Sequence, residues 1–207
     1  MEFRRVELQA PHALVPELER FYADWNVPLV FTPAGGEPFY HFAFLVPGDR
    51  FDAARAWAEE RVELLPGGDV DGVVFDFANW NALACYFHDP AGNIVELIAH
   101  RDVEPNGKTG PFSGAELLGV SELGLVGDPL ELAAALERVG LELWDGTLEE
   151  PGRLAFVGEP ARTLILSPEG RGWLPTGRPA EPHPVSALLT GPPVGEVTAA
   201  GHRIHRV

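Results

Sequence analysis

Two polar side chains that could do chemistry lie inside apolar strand-like stretches of the sequence. His41 begins the stretch HFAFLV, and Glu96 lies in the middle of NIVELIAH. Because successive side chains of a strand point to opposite faces, Glu96 is predicted to face away from Val95 and Leu97. An imidazole and a carboxylate are side-chain types that bind Fe, Mn, Ni or Zn. Both residues therefore have side chains that could take part in chemistry.

Each of these two residues also has a simpler explanation. Glu96 could be a solvated carboxylate, or it could pair with an arginine such as Arg5. His41 could be a hydrogen-bonded histidine in a cleft, without any metal. A metal would explain the two residues together, whereas neither residue requires one by itself.

The sequence contains three copies of one pattern, in which a short alternating strand is followed by a turn, a helix and a further apolar segment. The copies lie at residues 4–31, 40–66 and 121–144. The second and third copies continue through further apolar strands, so each reads strand–helix–strand–strand–strand. The first copy is followed only by a short turn segment, and it lacks the last two strands of the unit.

Residues typical of helix boundaries support this division. Asp128 followed by Pro129 is typical of an N-cap and a first helical position, and Gly140 is expected to end that helix. Asp49 is predicted to cap the second helix in the same way. The predicted fold class is α+β, with repeated βαβββ units forming curved mixed sheets around a cleft and the helices on the outer face.

Composition limits the classes of partner. The chain has 207 residues, with 31 acidic residues against 15 Lys and Arg, which gives a net charge of −16. Such a charge argues against binding to nucleic acid, because phosphates would be repelled. The single cysteine, Cys85, excludes an internal disulfide framework and suits a reducing compartment. With neither a membrane-spanning apolar run nor a signal-peptide core, the sequence predicts a cytoplasmic protein without a membrane partner.

The sequence resembles the vicinal oxygen chelate superfamily, which contains glyoxalases, extradiol dioxygenases and bleomycin-resistance proteins. The resemblance is carried by DPAGNIVEL at residues 89–97, by HFAF at residues 41–44 and by the repeated βαβββ pattern. It covers about residues 4–100 and is weaker in the third copy. It implies a curved sheet around a cavity, often with a divalent metal (Fe, Mn, Zn or Ni) as cofactor. In that family the ligands come from the first and last strands of paired units.

Residue by residue, the resemblance places two metal ligands in this chain. His41 matches the ligand of the first strand, and Glu96 matches the ligand of the last strand. The alternation of the strands agrees, since it places Phe42 and Phe44 on the face opposite His41.

The third ligand is not where the family would place it. In the first copy, Arg5 stands at the position of His41, and Glu7 lies two residues further along the same face. In the third copy the corresponding residue is Glu122, and the position that matches Glu96 falls near Leu166. The third ligand is therefore predicted to be Glu7, Glu122 or water.

The predicted domain organisation follows from the copies. A glyoxalase-like domain is expected at residues 1–100, with a truncated unit at 1–37 and a complete unit at 38–100. A linker at 101–115 precedes a further βαβββ unit with a C-terminal extension at 116–207. The second and third units could pair within the chain. Alternatively, the first could complete the second while the third pairs across a homodimer.

The leading hypothesis is a divalent-metal-dependent enzyme of the glyoxalase or dioxygenase type that acts on a small oxygen-bearing substrate. Its metal would chelate two neighbouring substrate oxygens and polarise them, stabilise an enediolate or bind dioxygen. The alternative is a non-catalytic protein that binds or sequesters a small molecule, as bleomycin-resistance proteins do. Arg5, the truncated first unit and the acidic charge favour that alternative. A third hypothesis is a structural or regulatory protein whose cleft is filled by side chains. Trp173, in EGRGWLPT, could line a ligand pocket, although packing is the simpler explanation.

Overall fold

The N-terminal segment forms a parallel pair of strands connected by a helix. The computed structural model describes residues 1–207. Strand β1 (Phe3–Pro11) is followed by helix α1 (Val15–Phe21) and strand β2 (Leu29–Ala34), which pairs with β1 in parallel. Val6 and Leu8 of β1 are both buried, as their alternation predicts.

The next two segments are complete βαβββ units. Unit A, our name for residues 41–100, contains β3 (His41–Leu45), α2 (Phe51–Glu59), β4 (Phe75–Phe77), β5 (Ala82–His88) and β6 (Ile94–His100). Unit B, residues 120–167, contains β7 (Val120–Val126), α3 (Pro129–Glu137), β8 (Leu143–Gly146), β9 (Ala155–Glu159) and β10 (Arg162–Ser167).

The C-terminal segment adds a hairpin and three further strands. The hairpin consists of β11 (Gly172–Trp173) and β12 (Arg178–Pro179). The three strands are β13 (Val185–Leu189), β14 (Gly195–Ala199) and β15 (His202–Arg206).

Units A and B together form one eight-stranded sheet, in the order β4-β5-β6-β3-β7-β10-β9-β8. The first strands of the two units, β3 and β7, are antiparallel neighbours at its centre. The second and third copies of the pattern therefore pair within the chain, which is one of the two arrangements that the sequence allows.

The N-terminal and C-terminal segments form the other large sheet, in the order β14-β15-β13-β1-β2. Strand β13 pairs with β1 on the side opposite β2, as β7 pairs with β3, and β2 remains at the edge of the sheet. The two strands that the first copy lacks are therefore not replaced beside β2. Strand pairing joins residues 41–100 to 120–167, and residues 3–34 to 185–206. The division into domains at 1–100 and 116–207 remains a prediction.

The main core lies on the outer face of the eight-stranded sheet. Phe42, Phe44 and Leu123 of that sheet belong to the same buried cluster as Val6 and Leu8 of the five-stranded sheet. The helices pack into this core as well, and α2 buries the residues predicted from its spacing, Phe51, Ala54, Trp57 and Ala58. The inner face of the eight-stranded sheet is left to line a cavity, and the α+β fold class is confirmed.

The two predicted helix caps have different outcomes. Asp128 accepts a hydrogen bond from the backbone N–H of Leu130 at 2.9 Å, and Pro129 is the first residue of α3. Gly140 follows the helix with a φ of +67°, which fits its predicted role in ending it.

Asp49 does not cap α2, so this prediction is wrong. Its carboxylate accepts hydrogen bonds from the backbone N–H groups of Asn106 and Gly107, at 3.0 and 2.8 Å. The connection between units A and B folds back past the start of α2 and offers these donors instead. None of the helices combines the length and apolar character needed to cross a bilayer.

Candidate metal centre

Three of the four predicted ligands meet on the inner face of the eight-stranded sheet. Ligand atoms of His41, Glu96 and Glu122 all lie within 4.8 Å of one another. The strand order explains this meeting, since β3 lies between β6 and β7. Ala43 of β3 pairs with Glu96 on one side and with Glu122 on the other. His41 is two residues before Ala43 and so shares its face.

Glu7 is not brought to this group. It lies on β1 in the five-stranded sheet, which covers the outer face of units A and B. Its carboxylate accepts a hydrogen bond from Nε of Arg5 at 2.6 Å. Arg5 is thus engaged with Glu7 rather than with Glu96.

The fourth position of the site carries an apolar side chain. In unit A the residue opposite Ala43 is Glu96, and in unit B the corresponding pair is Gly124 with Ile165. The residue that matches Glu96 is therefore Ile165, which lines the cavity, and not Leu166, which is buried in the outer core. His41, Glu96 and Glu122 can each supply a ligand atom, whereas Ile165 at the fourth position cannot.

The turn before β6 is held by one buried carboxylate. Asp89 accepts hydrogen bonds from the backbone N–H groups of Ala91 and Asn93, at 2.9 and 3.0 Å. It also accepts one from the Asn93 side chain at 2.7 Å and one from the Tyr22 hydroxyl at 2.9 Å. Gly92 has a φ of +76°, a conformation that glycine adopts at little cost. The DPAGN sequence is thus a turn with an internal polar network.

This turn connects the strands that carry the candidate ligands. The Asn93 side-chain oxygen accepts from the backbone N–H of Tyr40 at 2.8 Å, and the Ile94 N–H donates to the Tyr40 carbonyl at 2.9 Å. Nδ1 of His41 lies 3.1 Å from the Ile94 carbonyl, so it is the protonated nitrogen. The lone pair is then on Nε2, which lies 3.6 Å from Oε2 of Glu96.

We expect Asp89→Ala to lower the free energy of unfolding by about 3 kcal/mol or more, because it leaves several buried donors without an acceptor. Urea unfolding followed by circular dichroism measures this loss. Asp128→Ala is the matched control, since it removes a single helix cap and should cost about 1 kcal/mol. A loss in Asp89→Ala no greater than in the control would contradict the role assigned to the turn.

Burial makes the charges of the three side chains unfavourable. Glu96 and Glu122 are 1% and 4% exposed. Burial raises the pKa of Glu122 to about 8, and it raises the pKa of Glu96 well above its usual range, with the Glu122 carboxylate adding to the effect. Burial lowers the pKa of His41 to about 4. In the absence of a cation, the histidine is neutral and the carboxyl groups retain protons at pH values where they normally ionise.

These properties fit a divalent metal ion. A neutral imidazole offers its lone pair, and two carboxylates balance the charge of one divalent ion. Oε1 of Glu96 is buried and has no hydrogen-bond partner within the protein, which leaves a ligand atom to be satisfied. The donor set of one imidazole and two carboxylates suits Fe, Mn, Ni or Zn.

The three side chains open into a cavity of about 240 Å³. The space counts against a cleft filled by side chains. Trp173 forms part of the wall, with its ring centroid 5.0 Å from that of His41. Gly124 allows this approach, because a Cβ there would lie 3.0 Å from the indole. The other lining residues are Phe77, Trp80, Tyr86, Leu154, Phe156, Ile165, Arg171 and Leu174.

Contacts between units A and B form part of the cavity wall. Trp80 follows β4, and its ring packs edge-on against Phe156 of β9 at 4.8 Å and lies 5.2 Å from that of Trp144 in β8. Its indole N–H also donates to the Asp145 carboxylate. The two ends of the eight-stranded sheet therefore meet through aromatic rings, as a curled sheet requires.

Sequence reasoning missed Arg171 and identified Trp173 only as a residue that could either pack or line a pocket. Arg171 immediately precedes the β11–β12 hairpin and Trp173 belongs to it, and this hairpin lies outside the βαβββ units. The only sequence signal is a tryptophan and an arginine in a glycine-rich stretch, EGRGWLPT. Nothing in that stretch indicates which surface it covers.

Comparison with solved structures gives similar proteins. A Bacillus subtilis subsp. subtilis str. 168 protein described as a "putative dioxygenase" has a TM-score of 0.57 and 12% identity, over 100% of this chain and 85% of that one. Glyoxalase I from Zea mays has a TM-score of 0.47 and 15% identity, over 90% and 74%. Methylmalonyl-CoA epimerase from Mycobacterium tuberculosis has a TM-score of 0.38 and 15% identity, over 66% and 92%. No protein-family model and no curated protein matches the chain. The first of these similarities shows a shared fold.

Proposed function

From the vicinal oxygen chelate fold of the chain, we propose that His41, Glu96 and Glu122 hold a divalent metal ion and that the protein is an enzyme acting on a small substrate with two neighbouring oxygen atoms. The observation that carries this proposal is the buried group of three ligand side chains, with one unpartnered carboxylate oxygen, at the base of an open cavity. When bound, the metal supplies a Lewis acid that can polarise substrate oxygens.

The side chains around the site have definable roles in this proposal. His41 donates through Nδ1 to the Ile94 carbonyl, which fixes the ring so that Nε2 is the ligand atom. Ile165 offers no ligand atom, so coordination positions remain for substrate on its side. Burial, together with the Glu96 and Glu122 carboxylates, raises the pKa of Tyr86 well above its usual range. The Tyr86 hydroxyl therefore keeps its proton and is a hydrogen-bond donor beside Glu96, which can serve that carboxylate or a substrate oxygen.

Aromatic side chains form much of the cavity wall around the three candidate ligands. Trp173, Tyr86 and Phe156 present aromatic surface to the same space as the three ligands. In such a low-dielectric site, electrostatic interactions with a developing negative charge are stronger than in water. This arrangement supports chemistry in which an oxygen-centred anion forms.

The test uses catechol as a probe with two neighbouring oxygens and Co²⁺ as a spectroscopic metal. We expect catechol to change the visible absorption of the Co²⁺-loaded protein, because open coordination positions accept its oxygens. Glu122→Gln should reduce or remove this change, whereas Glu7→Gln should leave it as in the parent chain. A Co²⁺ spectrum that is unaffected by saturating catechol would contradict the proposal.

Product formation distinguishes an enzyme from a protein that only sequesters its ligand. Chromatography of catechol and of other vicinal-oxygen compounds after incubation with the Fe²⁺-, Mn²⁺-, Ni²⁺- or Zn²⁺-loaded protein should detect turnover if the protein is an enzyme. Tight binding without any product would favour the sequestration alternative. The cytoplasmic location remains a prediction from the sequence. So does a homodimer, which the site does not need, since units A and B complete it within one chain.

A further inference from the structure

Arg171 is the one arginine or lysine that lines the metal cavity. It precedes strand β11 and lies outside units A and B. Its Nε donates to the Gly152 carbonyl at 3.2 Å and its Nη1 to the Gly172 carbonyl at 2.8 Å, while Nη2 makes no hydrogen bond within the protein. No carboxylate lies within ion-pair distance of it, although the chain has twice as many acidic as basic residues. A guanidinium with free donors therefore faces the substrate space.

The hairpin that follows Arg171 is fixed at both ends. The Arg171 carbonyl accepts from the Ala180 N–H at 2.7 Å. Trp173 is 3% exposed and packs beside His41. On the other strand, the Arg178 guanidinium stacks over the Phe39 ring at 3.4 Å and donates to the Gly92 carbonyl at 3.2 Å. These contacts hold the Arg171 backbone in place relative to the candidate metal centre.

The cavity favours a flat molecule of modest size. Its volume of about 240 Å³ is below the range typical of drug-sized ligands, so it suits a single ring or a short unsaturated chain. Phe77, Trp80, Tyr86, Phe156 and Trp173 supply ring surfaces around this space. Such walls bind an apolar, planar body and give it little freedom to rotate.

The charge balance favours an anionic ligand. A divalent ion would neutralise the two carboxylates of Glu96 and Glu122, which leaves the Arg171 charge unbalanced in the cavity wall. A planar guanidinium pairs with a carboxylate through two parallel hydrogen bonds, and such charge-assisted pairs are stronger than neutral ones. The overall negative charge of the protein would otherwise repel an acid.

We propose that Arg171 binds a carboxylate group of the substrate, and that the substrate class is therefore a small aromatic or unsaturated carboxylic acid. This inference rests on the proposed function, in which the two neighbouring oxygens at the other end of the substrate bind the metal. Arg171 is a specificity-determining residue in this account. The competing explanation is that it only joins the hairpin to the loop at Gly152.

The experiment compares benzoate with benzamide, which has nearly the same shape but no charge. Binding is followed by quenching of tryptophan fluorescence, since Trp80 and Trp173 line the cavity. We expect the metal-loaded protein to bind benzoate more tightly than benzamide. Arg171→Gln should weaken benzoate by about ten- to a hundred-fold, while benzamide binding changes by no more than roughly two-fold.

Two further variants separate recognition from general effects. Arg153→Gln is the matched control. The Arg153 side chain is 70% exposed and lies close enough to act electrostatically on Arg171, and its replacement removes the same charge. Its effect on benzoate should stay within roughly two-fold, as for other exposed charges. Arg171→Lys keeps the charge but loses the planar fork, so it should weaken benzoate less than the glutamine variant does. It also keeps the test available if Arg171→Gln does not fold.

The possible results distinguish a failure of this inference from a failure of the proposed function. If Arg171→Gln weakens the binding of benzoate and of benzamide equally, the role of Arg171 is structural. If Arg153→Gln weakens benzoate binding as much as Arg171→Gln does, the effect comes from the overall charge of the protein. Unchanged benzoate binding in Arg171→Gln, with binding lost when the metal is removed, would place the acid on the metal and leave the proposed function standing. A protein that binds no metal but still distinguishes benzoate from benzamide through Arg171 would instead contradict the proposed function alone.

Discussion

Replacing both His41 and Glu96 by alanine is expected to abolish metal retention. The parent chain should hold about one divalent ion per molecule through one imidazole and two carboxylates. The double variant keeps only Glu122 of the three side chains that meet at the site. Even the loss of a hydrogen-bond partner of a ligand typically costs 10–100-fold in metal affinity, so the loss of two ligands should cost about a hundred-fold or more. Elemental analysis and calorimetric titration measure the effect.

Glu7→Ala is the matched control for this result. Glu7 was, with Glu122 and water, a candidate for the third ligand in the sequence, but it lies on β1 in the other large sheet and pairs with Arg5. The control should retain the metal with an affinity close to that of the parent chain. Equal metal content in the parent chain and the double variant would remove the basis of the metal centre.

The metal-free protein is expected to lose stability steadily as the pH rises from about 5 to about 8. The pKa of Glu122 is about 8 in the folded protein, against a usual value of 4.5, because of burial. Between these two values the folded chain binds a proton that the unfolded chain has released, so the free energy of unfolding falls with rising pH. The fall is on the order of a few kcal/mol for one such group, and Glu96 acts in the same direction.

His41 acts on the acidic side of this range. Its pKa is lowered to about 4 by burial, so below about pH 6.5 the unfolded chain takes up a proton that the folded chain does not. Stability then falls as the pH is lowered towards 4. The metal-free protein should therefore be most stable near pH 5, and the loss of stability should be steeper above about pH 6.5, where His41 no longer opposes it.

Urea unfolding in the presence of a chelator, at several pH values, tests this profile. Glu122→Gln removes one carboxyl group with a raised pKa, so the free energy of unfolding should fall less steeply with pH above pH 5. Glu7→Gln should leave this slope as in the parent chain. Added metal should reverse the trend, because metal competes better with protons at higher pH. A slope that is the same in Glu122→Gln and in the parent chain would contradict the buried, protonated state of Glu122.

Local patterns predicted the directions of side chains but not the partners of strands. The alternation around His41, Glu96 and Glu122 is enough to place each side chain opposite a buried apolar set. Glu7 satisfies the same alternation, and only the pairing of sheets separates it from the other three. That pairing depends on contacts between distant parts of the chain, such as β1 with β13, which no local pattern encodes.

The two local errors also have long-range causes. Asp49 has the residue type of an N-cap, but the chain near Asn106 folds back to it and supplies other donors. The fourth ligand position was counted one residue too far, at Leu166, because a strand register is set by its neighbour rather than by its own sequence. The register places Ile165 there.

Arg171 and Trp173 could not be assigned to the cavity from the sequence. They lie near the start of a two-stranded hairpin after unit B, where no periodicity indicates a buried face. Their position depends on the hairpin folding across the inner face of the eight-stranded sheet. Contacts such as Arg178 with Phe39 hold it there, and they join residues far apart in the chain.

The most direct test of the metal centre is anomalous diffraction from crystals grown with Mn²⁺, Fe²⁺, Ni²⁺ or Zn²⁺, collected at the absorption edge of the metal. The account predicts one strong anomalous peak within coordination distance of Nε2 of His41 and of carboxylate oxygens of Glu96 and Glu122, at about 2.0–2.2 Å in the case of Zn²⁺. Absence of a peak between these three side chains at saturating metal, or a strong peak only elsewhere on the protein, would contradict it.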